Sequence, residues 1–232
     1  MHFADRTEAG KALARALMQY KGRPVHVYAL PRGGAQVAAE VAHALNAPLD
    51  LILVRKIGAP GQPELAMGAV VDGGAPIIVR NDEVLRLTGT RANQFDQICR
   101  RELQEIERRR KLYMRDRPPL NPAGKIAIVI DDGVATGATM RAAAQATRMR
   151  KPQKLILAVP VGAHDSIEAL RGEVDDVVCL SMPEDFGAIG YFYQDFRQLS
   201  DQDVIDILKQ SSPCHCIAAG VADRVRQFGT LT

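Results

Sequence analysis

Short, mainly apolar runs alternate along the chain with stretches whose apolar positions recur at helical spacing, and this alternation lays out the elements. Residues 25–30, 49–54, 126–130, 154–161 and 174–180 read as strands. They lack the in-and-out polarity of a sheet with one wet face, so they are expected to be buried on both sides. Residues 5–20 place Leu13, Leu17 and several alanines on one face and predict an amphipathic helix. Residues 35–45, 90–117, 140–150, 164–171 and 201–210 predict further helices. Strands and helices in this succession give an α/β fold, a doubly wound parallel sheet that binds its ligand beyond the carboxyl ends of the strands.

Three stretches break the alternation. Arg55 and Lys56 stand at the end of the 49–54 strand, and the run 58–64 that follows has two Gly and two Pro in seven residues, which predicts an irregular loop. Residues 66–71 and 77–79 flank Asp72-Gly73-Gly74, a hairpin signal. Residues 182–196 hold five of the chain's eleven aromatic residues, a grouping suited to a small C-terminal hood over a pocket.

With 232 residues, 47% of them hydrophobic and none of them Trp, the chain is long enough for one domain with a core of Val, Ile, Leu and Ala. That domain is expected over 1–210, with residues 211–232 as a peripheral tail. A net charge of +3 suits an anionic metabolite and does not by itself imply nucleic acid. No apolar run has membrane-spanning length, the N-terminus does not read as a leader, and four cysteines are sparse, so a reduced, cytoplasmic protein without membrane contact is expected. In the tail, Cys214, His215 and Cys216 lack a second cluster to close a zinc site.

The chemistry concentrates after the 126–130 strand. Asp131 and Asp132 end it, and the small residues Gly133, Ala135, Gly137 and Ala138 lead into a helix. A turn between a strand end and a helix start gathers main-chain N–H groups and the positive end of a helix dipole, which suits a phosphate. Thr136 and Thr139 add hydroxyl donors. The two carboxylates would repel phosphate but suit sugar hydroxyls or a hydrated Mg2+. A ribose 5-phosphate fits both halves. At the first strand end, Arg32-Gly33-Gly34 offers a guanidinium and bare amides, a cradle for an anion or simply a tight turn. Arg55 and Lys56 could balance a polyphosphate or be a solvated strand end. A nucleotide P-loop is disfavoured, since its Gly-Lys-Ser/Thr ending is absent.

Asp131-Asp132-Gly133-Val134-Ala135-Thr136-Gly137-Ala138-Thr139 after an apolar strand resembles the phosphoribosyl pyrophosphate (PRPP) signature of type I phosphoribosyltransferases. Arg32, Gly33 and Gly34 match that family's pyrophosphate turn. The resemblance implies transfer of ribose 5-phosphate from PRPP to a nitrogen acceptor, a nucleobase, with Mg2+ and release of pyrophosphate. It implies that Asp131, Asp132 and Arg32 act on the reacting sugar and that Ala135, Thr136, Gly137, Ala138 and Thr139 hold the 5-phosphate. Arg32, Gly33, Gly34, Arg55 and Lys56 would hold pyrophosphate, and the run 58–64 falls where the family has a loop closing over the reaction. No metal ligand is directly assigned: Mg2+ would arrive on PRPP, with Asp131 and Asp132 as its possible protein contacts. Phe186 and Tyr191 would meet the base, and a homodimer is expected.

The acceptor stays open. Ala135 is similar to the adenine branch, whereas the hood is similar to the hypoxanthine and guanine branch. As a whole, with Leu30-Pro31-Arg32-Gly33-Gly34 and Arg55-Lys56-Ile57-Gly58-Ala59-Pro60, the chain resembles bacterial phosphoribosyltransferase-domain proteins of unassigned acceptor. The alternative is a PRPP-sensing regulator that binds nucleic acid through the basic helix bearing Arg100, Arg101, Arg108, Arg109, Arg110 and Lys111. Glu102, Glu105 and Glu107 are interleaved there and favour a charge-balanced surface helix instead.

Overall fold

A computed structural model describes residues 1–72, 76–115 and 117–211. In chain order the elements are α1 (Arg6–Ala16), β1 (Val25–Ala29), α2 (Gly33–Leu45), β2 (Leu49–Leu51), β3 (Val54–Ala59), β4 (Gln62–Val71), β5 (Ile77–Arg80), α3 (Asp82–Thr88), α4 (Ala92–Met114), β6 (Ile126–Ile130), α5 (Ala138–Met149), β7 (Lys154–Val161), α6 (His164–Arg171), β8 (Asp176–Ser181) and α7 (Asp201–Gln210).

Five strands form a parallel sheet in the order β2-β1-β6-β7-β8. The chain leaves β1 in one direction towards β2 and resumes on its other side with β6, so the winding reverses between β1 and β6. In such sheets the loops beyond that reversal flank a crevice where ligands bind. Ala29 is level with Ile130, which starts the turns after β1 and β6 at the same height.

Both faces of the sheet are covered, as its continuous apolar strands require. Ile126, Ile128 and Ile130 point into a core shared with Leu13 of α1, Val37 and Val41 of α2, and Val204 of α7. Ala127 and Val129, one residue out of phase, point into the opposite core with Ala143 and Ala144 of α5 and Ile167 and Leu170 of α6. The period of two thus divides one strand between two helix layers.

The 49–54 strand and the 58–64 loop require correction. The chain pairs with β1 only over Leu49–Leu51, then turns into a separate antiparallel sheet, β3-β4-β5. Arg55 and Lys56 lie within β3, and Gln62, Pro63 and Glu64 already belong to β4. The prolines are tolerated because Pro60 lies in the tight turn, while β5 pairs with β4 only from Gly68 to Val71, well beyond Pro63. The β3–β4 register shifts on both sides of Gly58. Asp72 begins the hairpin expected between β4 and β5; Gly73 and Gly74 lie outside the described residues, as do Cys214, His215 and Cys216. The polar stretch after Asn81 holds α3, capped by the Asn81 side chain and ended by left-handed Gly89.

Candidate active site

The turns after β1 and β6 are packed against each other. A methyl group added at Gly33 would lie 1.9 Å from Asp132 Oδ2, and one at Gly34 would lie 2.8 Å from the Ile130 carbonyl. Only residues without a side chain allow this approach. The Pro31–Arg32 peptide is cis. Gly34 N–H donates to Leu30 O, so the amide expected to face pyrophosphate closes the turn instead. The Arg32 guanidinium lies 3.8 Å from Asp201 at the start of α7.

The acid pair is held differently at its two members. Asp132 is buried, and its Oδ2 accepts a 2.7 Å hydrogen bond from Nε of the buried Arg6 on α1. The Tyr193 hydroxyl donates to the Asp132 carbonyl at 2.6 Å. Asp131 Oδ1 accepts from the Asp132 N–H at 2.9 Å. Burial, and then the neighbouring Asp132 charge, raise the Asp131 pKa well above the usual carboxylate range. The same two causes, led by burial, raise the phenol of Tyr193.

Beyond the acids, Val134 anchors the turn to the neighbouring strand end. Its N–H donates to Val161 O, and its carbonyl accepts from the Ala163 N–H. Ser166 Oγ donates to Ala135 O at 2.6 Å. Gly137 adopts the left-handed conformation, φ 74°, at the N-cap of α5. The helix therefore starts at Ala138, two residues earlier than periodicity predicts, and places Ala138 and Thr139 in the first turn, whose N–H groups have no partner within the helix. Ala135 and Thr136 are exposed. Thr139 also lines a cleft of about 500 Å³ with Arg55, Lys56 and Arg101, bringing the cations of β3 beside the start of α5. Arg55 is paired with Glu102 at 2.7 Å.

The hood closes on this turn from the other side. Ile189 covers Gly133, whose added methyl would meet Ile189 Cγ2 at 2.7 Å. Phe186 packs on Phe192, ring centres 5.6 Å apart, and Tyr193 stacks on Phe196 at 5.0 Å. Tyr191 stands 73% exposed. Residues 182–196 do not form the hood alone, because Phe3 and Ala4 pair with it through Phe3 N–H to Phe192 O and Gln194 N–H to Phe3 O.

Residues 5–196 match the phosphoribosyl transferase domain, more than half of the chain. The chain belongs to the phosphoribosyl transferase domain family. It is 44% identical over 209 residues to Rv0571c of Mycobacterium tuberculosis strain H37Rv, a protein with a provisional name as a phosphoribosyl transferase, and the match covers 90% of this chain and 47% of that protein. The chain thus spans about half the length of the curated relatives it matches. The crystal structure of TT1426 from Thermus thermophilus is 41% identical and superposes with a TM-score of 0.80, covering 91% of this chain and all of that one.

Within this phosphoribosyl transferase domain, the fold brings Gly33 and Gly34 against Asp132 and Asp131 where two turns touch, and Thr139 with Arg55 and Lys56 along one cleft, while the Arg32 guanidinium is placed beside Asp201. Among the described residues no group of three or more His, Cys, Asp or Glu is placed to hold a metal. A Mg2+ ion takes one or two carboxylates and completes its shell with water and phosphate oxygens, so the acid pair fits one carried in by its ligand. Among the described residues no helix is long and apolar enough to cross a membrane. Sequence reasoning missed Arg6 and Tyr193. For Arg6 a signal existed: a cation at the first position of a helix opposes the dipole, where an acid is favoured.

Proposed function

We propose that the chain binds PRPP and transfers its ribose 5-phosphate to a nitrogen acceptor, a nucleobase, with release of pyrophosphate. The supporting observation is the contact between the two turns at the winding reversal: Gly33 of an Arg-bearing turn abuts Asp132 of an acid pair, and a helix start follows that pair. One ligand spanning these turns needs a polyanion, a hydroxyl-rich sugar and a terminal phosphate in sequence. PRPP has that order, and the family membership agrees with it.

In this reading Ala135, Thr136, Gly137, Ala138 and Thr139 hold the 5-phosphate through amides and hydroxyls at the start of α5. Asp131 and Asp132 accept hydrogen bonds from the ribose hydroxyls. Arg32, with Gly33 beside it, takes the pyrophosphate, and Arg55 and Lys56 add charge from β3. Mg2+, held on PRPP and by the acid pair, would supply charge neutralisation of the leaving group. The anomeric carbon passes through a cation-like state, so the residues named need only fix the sugar and stabilise departing charge. A pyrophosphate-release assay with PRPP, Mg2+ and a panel of purine and pyrimidine bases tests this. Release with one base class is expected; release with none, although PRPP binds, would support a sensor instead.

The basic helix does not favour the sensor. Glu105 binds both Arg108 and Arg109, and these hydrogen bonds lower its pKa to about 2. Lys111 pairs with Glu107, and Arg110 turns inward to Asp72 and Asp50.

A further inference from the structure

The acid pair is gripped by a cation that lies outside every motif of the site. Arg6 has three engagements at once. Its Nε donates to Asp132 Oδ2 at 2.7 Å, its Nη1 donates to the Arg197 carbonyl at 3.0 Å, and its guanidinium carbon lies 3.9 Å from the centre of the Phe196 ring. The Arg6 side chain is 7% exposed and that of Asp132 12%. A buried ion pair is a poor device for stability, because desolvation offsets most of its attraction and apolar residues of equal volume serve as well. What a planar, forked cation supplies is orientation. Tyr193 adds a second hold on the same residue, through its main-chain carbonyl, and Tyr193 stacks on the ring beneath Arg6.

We propose that Arg6 is the positioning residue of the acid pair: it fixes the Asp132 carboxylate for the ribose hydroxyls and ties it to the hood, so that sugar binding and hood order are one event. This rests on the PRPP reading above. Side chain and main chain of Asp132 are both held from the hood side, so any ligand that engages Asp132 must act on residues 192–197 as well. Lysine at position 6 could supply charge but could not bond Asp132 and the Arg197 carbonyl while lying flat on Phe196.

The test is calorimetric titration of the full chain with PRPP and Mg2+, comparing the parent with R6Q, R6K, D132N, R6Q/D132N and F196L. R6Q is expected to weaken binding by about tenfold or more, R6K to fall between it and the parent, and the double variant to bind no worse than D132N, as coupled residues do. F196L removes the ring beneath the guanidinium but spares the bond to Asp132, and should stay within about threefold of the parent. In the parent, PRPP should slow amide exchange at residues 192–197, a readout that does not depend on any variant folding. Folded R6Q or R6K with parental affinity, losses that multiply in the double variant, an F196L loss equal to that of R6Q, or exchange at residues 192–197 indifferent to PRPP each overturns the role of Arg6. A parent that binds no PRPP overturns the functional reading and this inference together, whereas a binding parent with an indifferent R6Q overturns this inference alone.

Discussion

An alanine at position 33 would drive its methyl group to 1.9 Å from Asp132 Oδ2, so one of the two turns would have to retreat. Overpacking of this kind costs about 1–3 kcal/mol. Gly33→Ala should therefore lower the denaturant midpoint and weaken PRPP binding together; a change in neither would show that the turns separate freely. Asp131 makes the opposite trade. Its folded pKa is raised above the ordinary 3.8, so between that value and the higher folded one the native state keeps a proton that the unfolded chain has lost. Stability is therefore given up as pH rises through that window. Asp131→Asn should raise the melting temperature at neutral pH, with the gain shrinking as pH falls towards the ordinary carboxylate value, while PRPP binding weakens by less than in the double variant below. A gain that is largest in acid would contradict the sign. At this scale the sequence revealed the motif residues but not their partners. Arg6 and Asp132 are 126 positions apart, and no local pattern encodes a contact made by closing α1 over the sheet edge.

Among the elements, α4 separates cations that look alike in sequence. Arg108 is exposed and paired on its own helix, whereas the Arg110 side chain is 16% exposed and faces Asp72 and Asp50, whose side chains are 7% and 3% exposed. Removing one member of a buried pair strands the others, at about 3–5 kcal/mol. Denaturant titration should show that loss for Arg110→Ala and an unchanged midpoint for Arg108→Ala; equal effects would refute this division of the helix. The basic run should likewise give no salt-dependent nucleic-acid binding that is lost on changing Arg108 and Arg109. The strands of the central sheet were largely legible, β6 most clearly, because burial on both faces leaves mainly apolar runs, although β2 is shorter than its run. The β3-β4 hairpin was not, because its prolines and glycines carry loop statistics and only the one-sided pairing of β4 near Pro63 makes them compatible with a strand.

For the molecule as a whole, the parallel sheet was legible in alternating strands and helices, whereas the strand order, whose reversal between β1 and β6 places two distant motifs at one crevice, was not. The hood was legible only in part. Its aromatic cluster marks the cap, but pairing with Phe3 and Ala4 depends on where the two ends of the domain meet. In the proposed reading the acceptor would lie beneath that cap, and neither Ala135 nor the hood pattern decides which one. What the proposed reading commits to is joint recognition of PRPP by the two touching turns. The most direct measurement is calorimetric titration with PRPP and Mg2+ of the parent chain and of the variant with both Asp131→Asn and Asp132→Asn. The account predicts saturable binding by the parent and a loss of about a hundredfold, roughly 2.7 kcal/mol, in the folded variant. No heat from the parent, or the same isotherm from both proteins, would contradict it.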